Sequence, residues 1–264
     1  MDLLRRELAP ITPAAWEQID AEATRVLSVH LAGRKLVDVD GPHGWTCAAV
    51  NLGLLDIKPD TLLGVPWGIR QVIPLIEVRA PFELSIMELD NASRGATLEL
   101  DPAIATAEKI AHAEEQVIFN GFAAAGIQGV IEATPHAPIN LPDDYDAYPS
   151  AVVAATETLR RAGIDGPYAL ALGPESYAGL AQAAQDGYPI RERVRRLIDG
   201  PIVWAPKVDG AVVLSTRGGD FQLTIGQDLS IGYAMHDKRT VQLYLTESFT
   251  FRVLERAAAV HLKR

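Results

Sequence analysis

Four stretches of regular apolar spacing frame this 264-residue chain, two with helical period and two with strand period. In the first, Trp16, Ile19, Ala23, Val26, Leu27, His30 and Leu31 form one stripe, the signature of an amphipathic helix. Thr12 is placed to cap it, Pro13 suits a first turn that needs no N–H, and Gly33 is placed to end it. The stripe must bury against something, and the short segment before Thr12 offers no partner. A second helix is predicted from Asp101-Pro102, a cap followed by proline, toward Ala125. It carries two stripes, Ile110, Ala113, Val117, Gly121 and Ala124 on one and Ile104, Ala107, Ala111, Ile118 and Phe122 on the other. About 24 residues would span ~36 Å, and two stripes predict contact on more than one side.

Residues 45–55 and 67–79 are rich in apolar and β-branched types and flank Asp56 to Pro66, which holds Pro59, Gly64 and Pro66. That reads as two strands joined by a long hairpin tip. Such a hairpin cannot bury both faces alone, so it projects or is covered by a neighbour. The chain closes on FQLTIGQ (221–227) and a regular strand over 241–253. There Val241, Leu243, Leu245, Phe249, Phe251 and Val253 alternate with Gln242, Tyr244, Thr246, Ser248, Thr250 and Arg252, and Glu247 interrupts the apolar face. About 13 residues at ~3.3 Å each exceed 40 Å, well beyond a usual strand. Between these stretches, Pro135, Pro138, Pro142 and Pro149 mark a connection. An α/β alternation follows: helix 150–162, strand 168–173, helix 174–185, helix 191–199, strand 201–206 and strand 211–216.

Composition narrows the class. A hydrophobic fraction of 48% with 22% charged residues is that of a folded globular chain. A net charge of −10 argues against wholesale binding of nucleic acid, because no surplus of Lys and Arg exists to replace counterions. The lone Cys47 excludes an intrachain disulfide and fits a reducing cytoplasm. The opening MDLLRRELAP lacks the apolar run of a secretory signal. No stretch approaches ~20 consecutive apolar residues, so no membrane span is expected.

Catalytic constellations are sparse. Glu108, His112 and Glu115 share a helical face at i, i+4 and i+7, yet a carboxylate-bridged metal site needs a Glu-x-x-His motif, which the chain lacks. An ordinary polar helix face accounts for them. His43 and Cys47 need not converge in an extended stretch. Gly-x-Ser-x-Gly and the phosphate-binding loop are absent. Arg217-Gly218-Gly219-Asp220 reads as a turn between strands, and the six histidines do not cluster in sequence. No catalytic residue and no metal site are expected.

Ordered segments nevertheless identify a family. GRKLVDVDGPHGW (33–45), LIEVRAPFELS (75–85), MELDNASRG (87–95), GIDGPY (163–168), GYPIRERV (187–194), RGGDFQLTIGQDLSIGY (217–233) and LYLTESFTF (243–251) resemble encapsulins of the linocin type, in that family's order. The resemblance covers essentially the whole chain. It implies an α+β fold of the tailed-bacteriophage major capsid protein type, with peripheral domain, axial domain and extended loop. The corresponding division is 1–44 for the N-terminal helix and arm, 45–80 for the extended loop hairpin and 81–134 for the peripheral domain with the long helix. Residues 135–216 would form the axial domain, and 217–264 would return to the peripheral strands.

The resemblance also implies a function: a shell subunit, not an enzyme, that self-assembles into a cytoplasmic icosahedral cage of about sixty copies. Members of the family enclose dye-decolorising peroxidases or ferritin-like proteins, which dock through a C-terminal targeting peptide. By position the docking groove would involve Leu27, His30, Leu31, Arg34, Asp38 and Ile231. Core packing is the competing account of the apolar ones. The fivefold pore would be lined by Gln182, Gln185, Asp186, Gly187 and Tyr188, with a symmetry-repeated ring of Asp186 attracting cations. Some relatives bind a flavin through a tryptophan where this chain has Met87, which offers no stacking face, so no cofactor is expected in the shell. Two other classes compete, a phage-derived capsid protein and a secreted bacteriocin-like hydrolase. The residues give the older bacteriocin and protease descriptions no support.

Overall fold

The computed structural model describes residues 3–185 and 187–264. Its helices are α1 (Pro13–His30), α2 (Ile86–Ser93), α3 (Asp101–Asn120), α4 (Val130–Ala133), α5 (Tyr148–Arg161), α6 (Pro174–Gln182) and α7 (Ile190–Ile198). Its strands are β1 (Asp38–Asp40), β2 (Ala49–Leu62), β3 (Val65–Pro74), β4 (Ile76–Ser85), β5 (Ile139–Asn140), β6 (Tyr168–Leu172) and β7 (Ala184–Gln185). They continue with β8 (Tyr188–Pro189), β9 (Asp199–Trp204), β10 (Ala211–Ser215), β11 (Phe221–Ile225), β12 (Ser230–His236), β13 (Thr240–Val253) and β14 (Ala259–Lys263).

β13 explains its own length. It pairs with β12 over Val241–Thr246, with β11 over Phe249–Val253, and with β4 over Thr240–Phe249. A strand of ordinary length would serve one of these partners. β1 completes this sheet beside β11. A second sheet runs β5-β14-β10-β6-β9, and β2 pairs only with β3 in a separate ribbon.

Two apolar cores result. One gathers Ile19, Leu27, Phe82, Ile110, Ile231 and Leu243 from α1, α3 and the near half of the first sheet. The other gathers α5, α7 and the second sheet with Ile118, Phe119, Phe249 and Phe251. α3 and β13 therefore each pass from one core into the other. The two-striped helix and the overlong strand have one cause: each must present apolar residues to two different bodies.

Several boundaries differ from those the sequence predicted. Thr12 Oγ1 does accept Ala15 N–H at 3.3 Å, but α1 ends at His30, before Gly33. The segment before Thr12 does have a partner, since Arg6 lies 4.0 Å from the Trp16 ring centroid and pairs with Asp20 at 2.6 Å. α3 begins at Asp101 itself, with no side-chain cap, and stops at Asn120 because Gly121 leaves helical backbone at φ 80°. Phe122 and Ala124 thus fall outside the stripes and are exposed. The hairpin tip is two residues, Leu63-Gly64, both at positive φ, and the stretch predicted as a tip is strand. β4 starts at Ile76 and belongs to the first sheet, so a division at 80 cuts through a strand. β14 pairs with β10 and β5, so the chain ends in the second sheet and not among the peripheral strands.

Candidate assembly and docking surfaces

Between the two cores lies a layer of buried charge. Glu114 and Glu115 on α3, and Glu247 on β13, are fully buried where those elements cross from one core to the other. Arg34, from the 3-10 turn after α1, reaches in. Its Nη2 lies 2.7 Å from Glu114 Oε2 and 2.5 Å from Glu247 Oε1, and its Nη1 lies 2.9 Å from Asp228 Oδ1. Burial works against the Arg34 charge, but the hydrogen bonds it donates to Glu114 and the charges of Glu114, Glu247 and Asp228 outweigh it and raise its pKa. Burial pushes the Glu247 carboxyl well above the carboxylate range, reinforced by the Glu114 charge and opposed by Arg34. Burial likewise raises Glu115 to about 8, although the Gly33 N–H opposes it. Burial thus favours the protonated forms of Glu115 and Glu247, and the Arg34 guanidinium compensates the carboxylate charge it faces in this layer. Sequence reading registered Glu247 only as a break in alternation and placed Glu115 on a surface face.

The residues expected to form a docking groove divide into four groups. Leu27, Leu31 and Ile231 do come together, but inside the first core at 9%, 7% and 4% exposure, so packing is their role within the subunit. Arg34 has its guanidinium committed to three carboxyls and is not free for a peptide. Asp38 is exposed, accepts Gly219 N–H at 2.6 Å, and lies at the other end of the sheet. Ile231 aligns with Leu245 of β13, whereas Asp38 aligns through Gln222 with Arg252, seven residues and roughly 23 Å further along. His30 is half-buried, with Nδ1 3.3 Å from His112 Nε2 and Nε2 3.7 Å from Glu108 Oε1. Burial lowers the His112 pKa, helped by Lys207 and His30. No group of three or more metal-ligating side chains gathers to hold a metal ion among the described residues. An open cleft of about 1010 Å³ runs along the solvent-exposed face of α1, lined by Arg6, Ile11, Trp16, Asp20, Thr24 and Ser28.

The β2–β3 ribbon presents a run of exposed apolar side chains and joins no other sheet among the described residues. Leu54, Leu55, Ile57, Leu62, Val65, Ile69 and Val72 are all at least half exposed, and Leu63 at the tip is 98% exposed. A two-stranded ribbon is marginal alone in water, and a contiguous apolar patch of this kind marks a contact surface.

Of the expected pore residues, Gln182 ends α6, and Gln185, Gly187 and Tyr188 sit at the tip of the β7–β8 ribbon, where Gly187 has φ 79°. Asp186 lies outside the described residues. Arg193 Nη1 donates to Gln185 Oε1, and Arg196 stands 5.7 Å from the Tyr188 ring centroid, so cationic groups flank this tip. Met87 is exposed on α2. No helix among the described residues is long and apolar enough to cross a membrane.

Comparison with known proteins agrees with this geometry. Residues 1–250 match the family described as encapsulating protein for peroxidase. The type 1 encapsulin shell protein of Mycolicibacterium paratuberculosis is 46% identical over 264 residues, covering 99% of each chain. Among solved structures, the virus-like particle from Pyrococcus furiosus aligns with a TM-score of 0.69 at 16% identity, over 94% of this chain and 99% of that one. The capsid of Myoviridae phage XM1 aligns with a TM-score of 0.54 at 13% identity, over 85% and 88%. The last two likenesses establish a capsid-type fold.

Proposed function

Because the chain belongs to the encapsulin shell-protein family, we propose that its copies close into an icosahedral cage, of about sixty subunits, around an enzyme cargo. The β2–β3 ribbon carries this reading. It is long, apolar on exposed positions and unpartnered within the subunit, and a neighbouring copy is the surface that would cover it. The protein acts as a container wall. Size-exclusion chromatography with native mass spectrometry tests the reading: a megadalton particle is expected, and a 28.5 kDa monomer would remove it.

The cargo in this reading is a peroxidase or a ferritin-like protein held in the cytoplasm by a C-terminal targeting peptide. The inner face beside α1 is the proposed dock. Leu27, Leu31 and Ile231 would shape its floor from beneath, His30 would border it, and Asp38 would serve only a peptide that runs on across the sheet. Hydrogen exchange on empty and loaded shells is the test, with new protection expected over residues 24–38. The proposal includes no cofactor in the shell, and purified shells without flavin absorbance are the expected outcome. Loop 182–188 is proposed to line an opening for small solutes, with Asp186 supplying negative charge against Arg193 and Arg196.

A further inference from the structure

The second sheet has two open edges of opposite charge. At one edge, β9 has no strand beyond it among the described residues, and α7 lies beside it. This helix carries Arg191, Arg193, Arg195 and Arg196 within six residues, and none of the four pairs with a carboxylate among the described residues. Arg195 and Arg196 are exposed and line a cleft of about 960 Å³ whose floor includes Gly200 and Pro201 of β9. Pro201 cannot donate a ladder hydrogen bond, as suits an edge strand. Glu192 and Asp199 are the acidic groups in that cleft, so arginine is in excess there.

The opposite edge is β5, and the loop that leaves it carries Asp143, Asp144 and Asp146, all exposed. Glu175 stands nearby, sharing Arg264 with Asp143 at 2.7 and 3.6 Å. Arg264 pairs with two of these four carboxylates, and Lys263, aligned with Asn140, is the other cation at this edge, so carboxylates are in excess there. Four strand spacings, about 19 Å, separate the two edges. A body with unlike, complementary surfaces on opposite flanks is what a head-to-tail contact that closes into a ring requires; an isologous contact would present the same patch twice.

We propose that the α7–β9 edge of one copy seats on the acidic β5 edge of the next, so that charge sets the direction in which subunits follow one another around a rotational axis. This rests on the shell reading and names a contact within it. Complementary patches of this kind act mainly on encounter and register, and like charges placed together are strongly unfavourable.

Charge reversal of the full chain tests it. Arg195→Glu with Arg196→Glu, and separately Asp143→Lys with Asp146→Lys, should each give folded subunits by circular dichroism and about tenfold fewer shells by native mass spectrometry. Combining all four changes should restore assembly. If either reversal misfolds, Arg195→Gln with Arg196→Gln replaces it, and its shells should come apart at lower salt than wild type. Reversed or neutralised variants that assemble and resist salt like wild type would overturn the contact while leaving the shell reading intact. Wild type that forms no shell would instead remove the reading beneath it. Co-purifying nucleic acid lost from the arginine variants, with assembly unchanged, would reassign the arginine face to a polyanion and also overturn the proposal.

Discussion

The backbone N–H of Gly33 donates to Glu115 Oε1 at 2.6 Å, in the layer where the two cores meet. The turn approaches α3 so closely that a Cβ built on Gly33 would sit 2.5 Å from Ile118 Cδ1. Gly33 is there for this contact and not to terminate α1. Gly33→Ala should therefore destabilise the subunit by about 1–3 kcal/mol through overpacking. Adding Ile118→Val removes the offending methyl, so the double variant should melt closer to wild type than the two separate losses predict. Denaturant melts of all four proteins check this.

Stability should fall as pH rises through the neutral range. Glu115 keeps its proton up to about 8 when folded, against an ordinary value of 4.5. Below about 4.5 both states are protonated and its contribution is fully present. Between there and about 8 only the unfolded chain releases the proton, and stability drops by up to about 1.4 kcal/mol per pH unit. Above about 8 the dependence levels off. Glu247, raised in the same direction, adds to the trend. Glu115→Gln should flatten the curve measured by thermal melting between pH 5 and pH 8, and an unchanged slope would refute the assignment.

Arg34→Met leaves Glu114 and Glu247 buried without their cation. Breaking a buried pair in this way costs about 3–5 kcal/mol. The penalty should shrink toward acid pH, where the orphaned carboxyls take up protons. Equal destabilisation at pH 5 and pH 8 would contradict the layer's chemistry.

Removing residues 57–65 deletes the exposed end of the ribbon and touches neither core. The expected product is a folded subunit, with wild-type far-ultraviolet dichroism, that elutes far below the megadalton range. Shells formed normally by this deletion would deprive the ribbon of its assigned role.

Much of the fold was legible in the chain. Thr12-Pro13, the stripe from Trp16 to Leu31 and the alternation over 241–253 each reflect a local rule, a cap or a period, which a short window contains in full. The family was legible because ordered segments along the whole length carry it. Tertiary structure alone decided what those patterns face. It turned Glu115 inward, committed Arg34 to Glu114 and Glu247, sank Leu27, Leu31 and Ile231 into a core, and carried residues 259–263 into the second sheet. The physical reason is the same in each case. Burial, ion pairing and strand registration depend on partners 45 to 213 residues away, and periodicity records which face is apolar without recording what covers it.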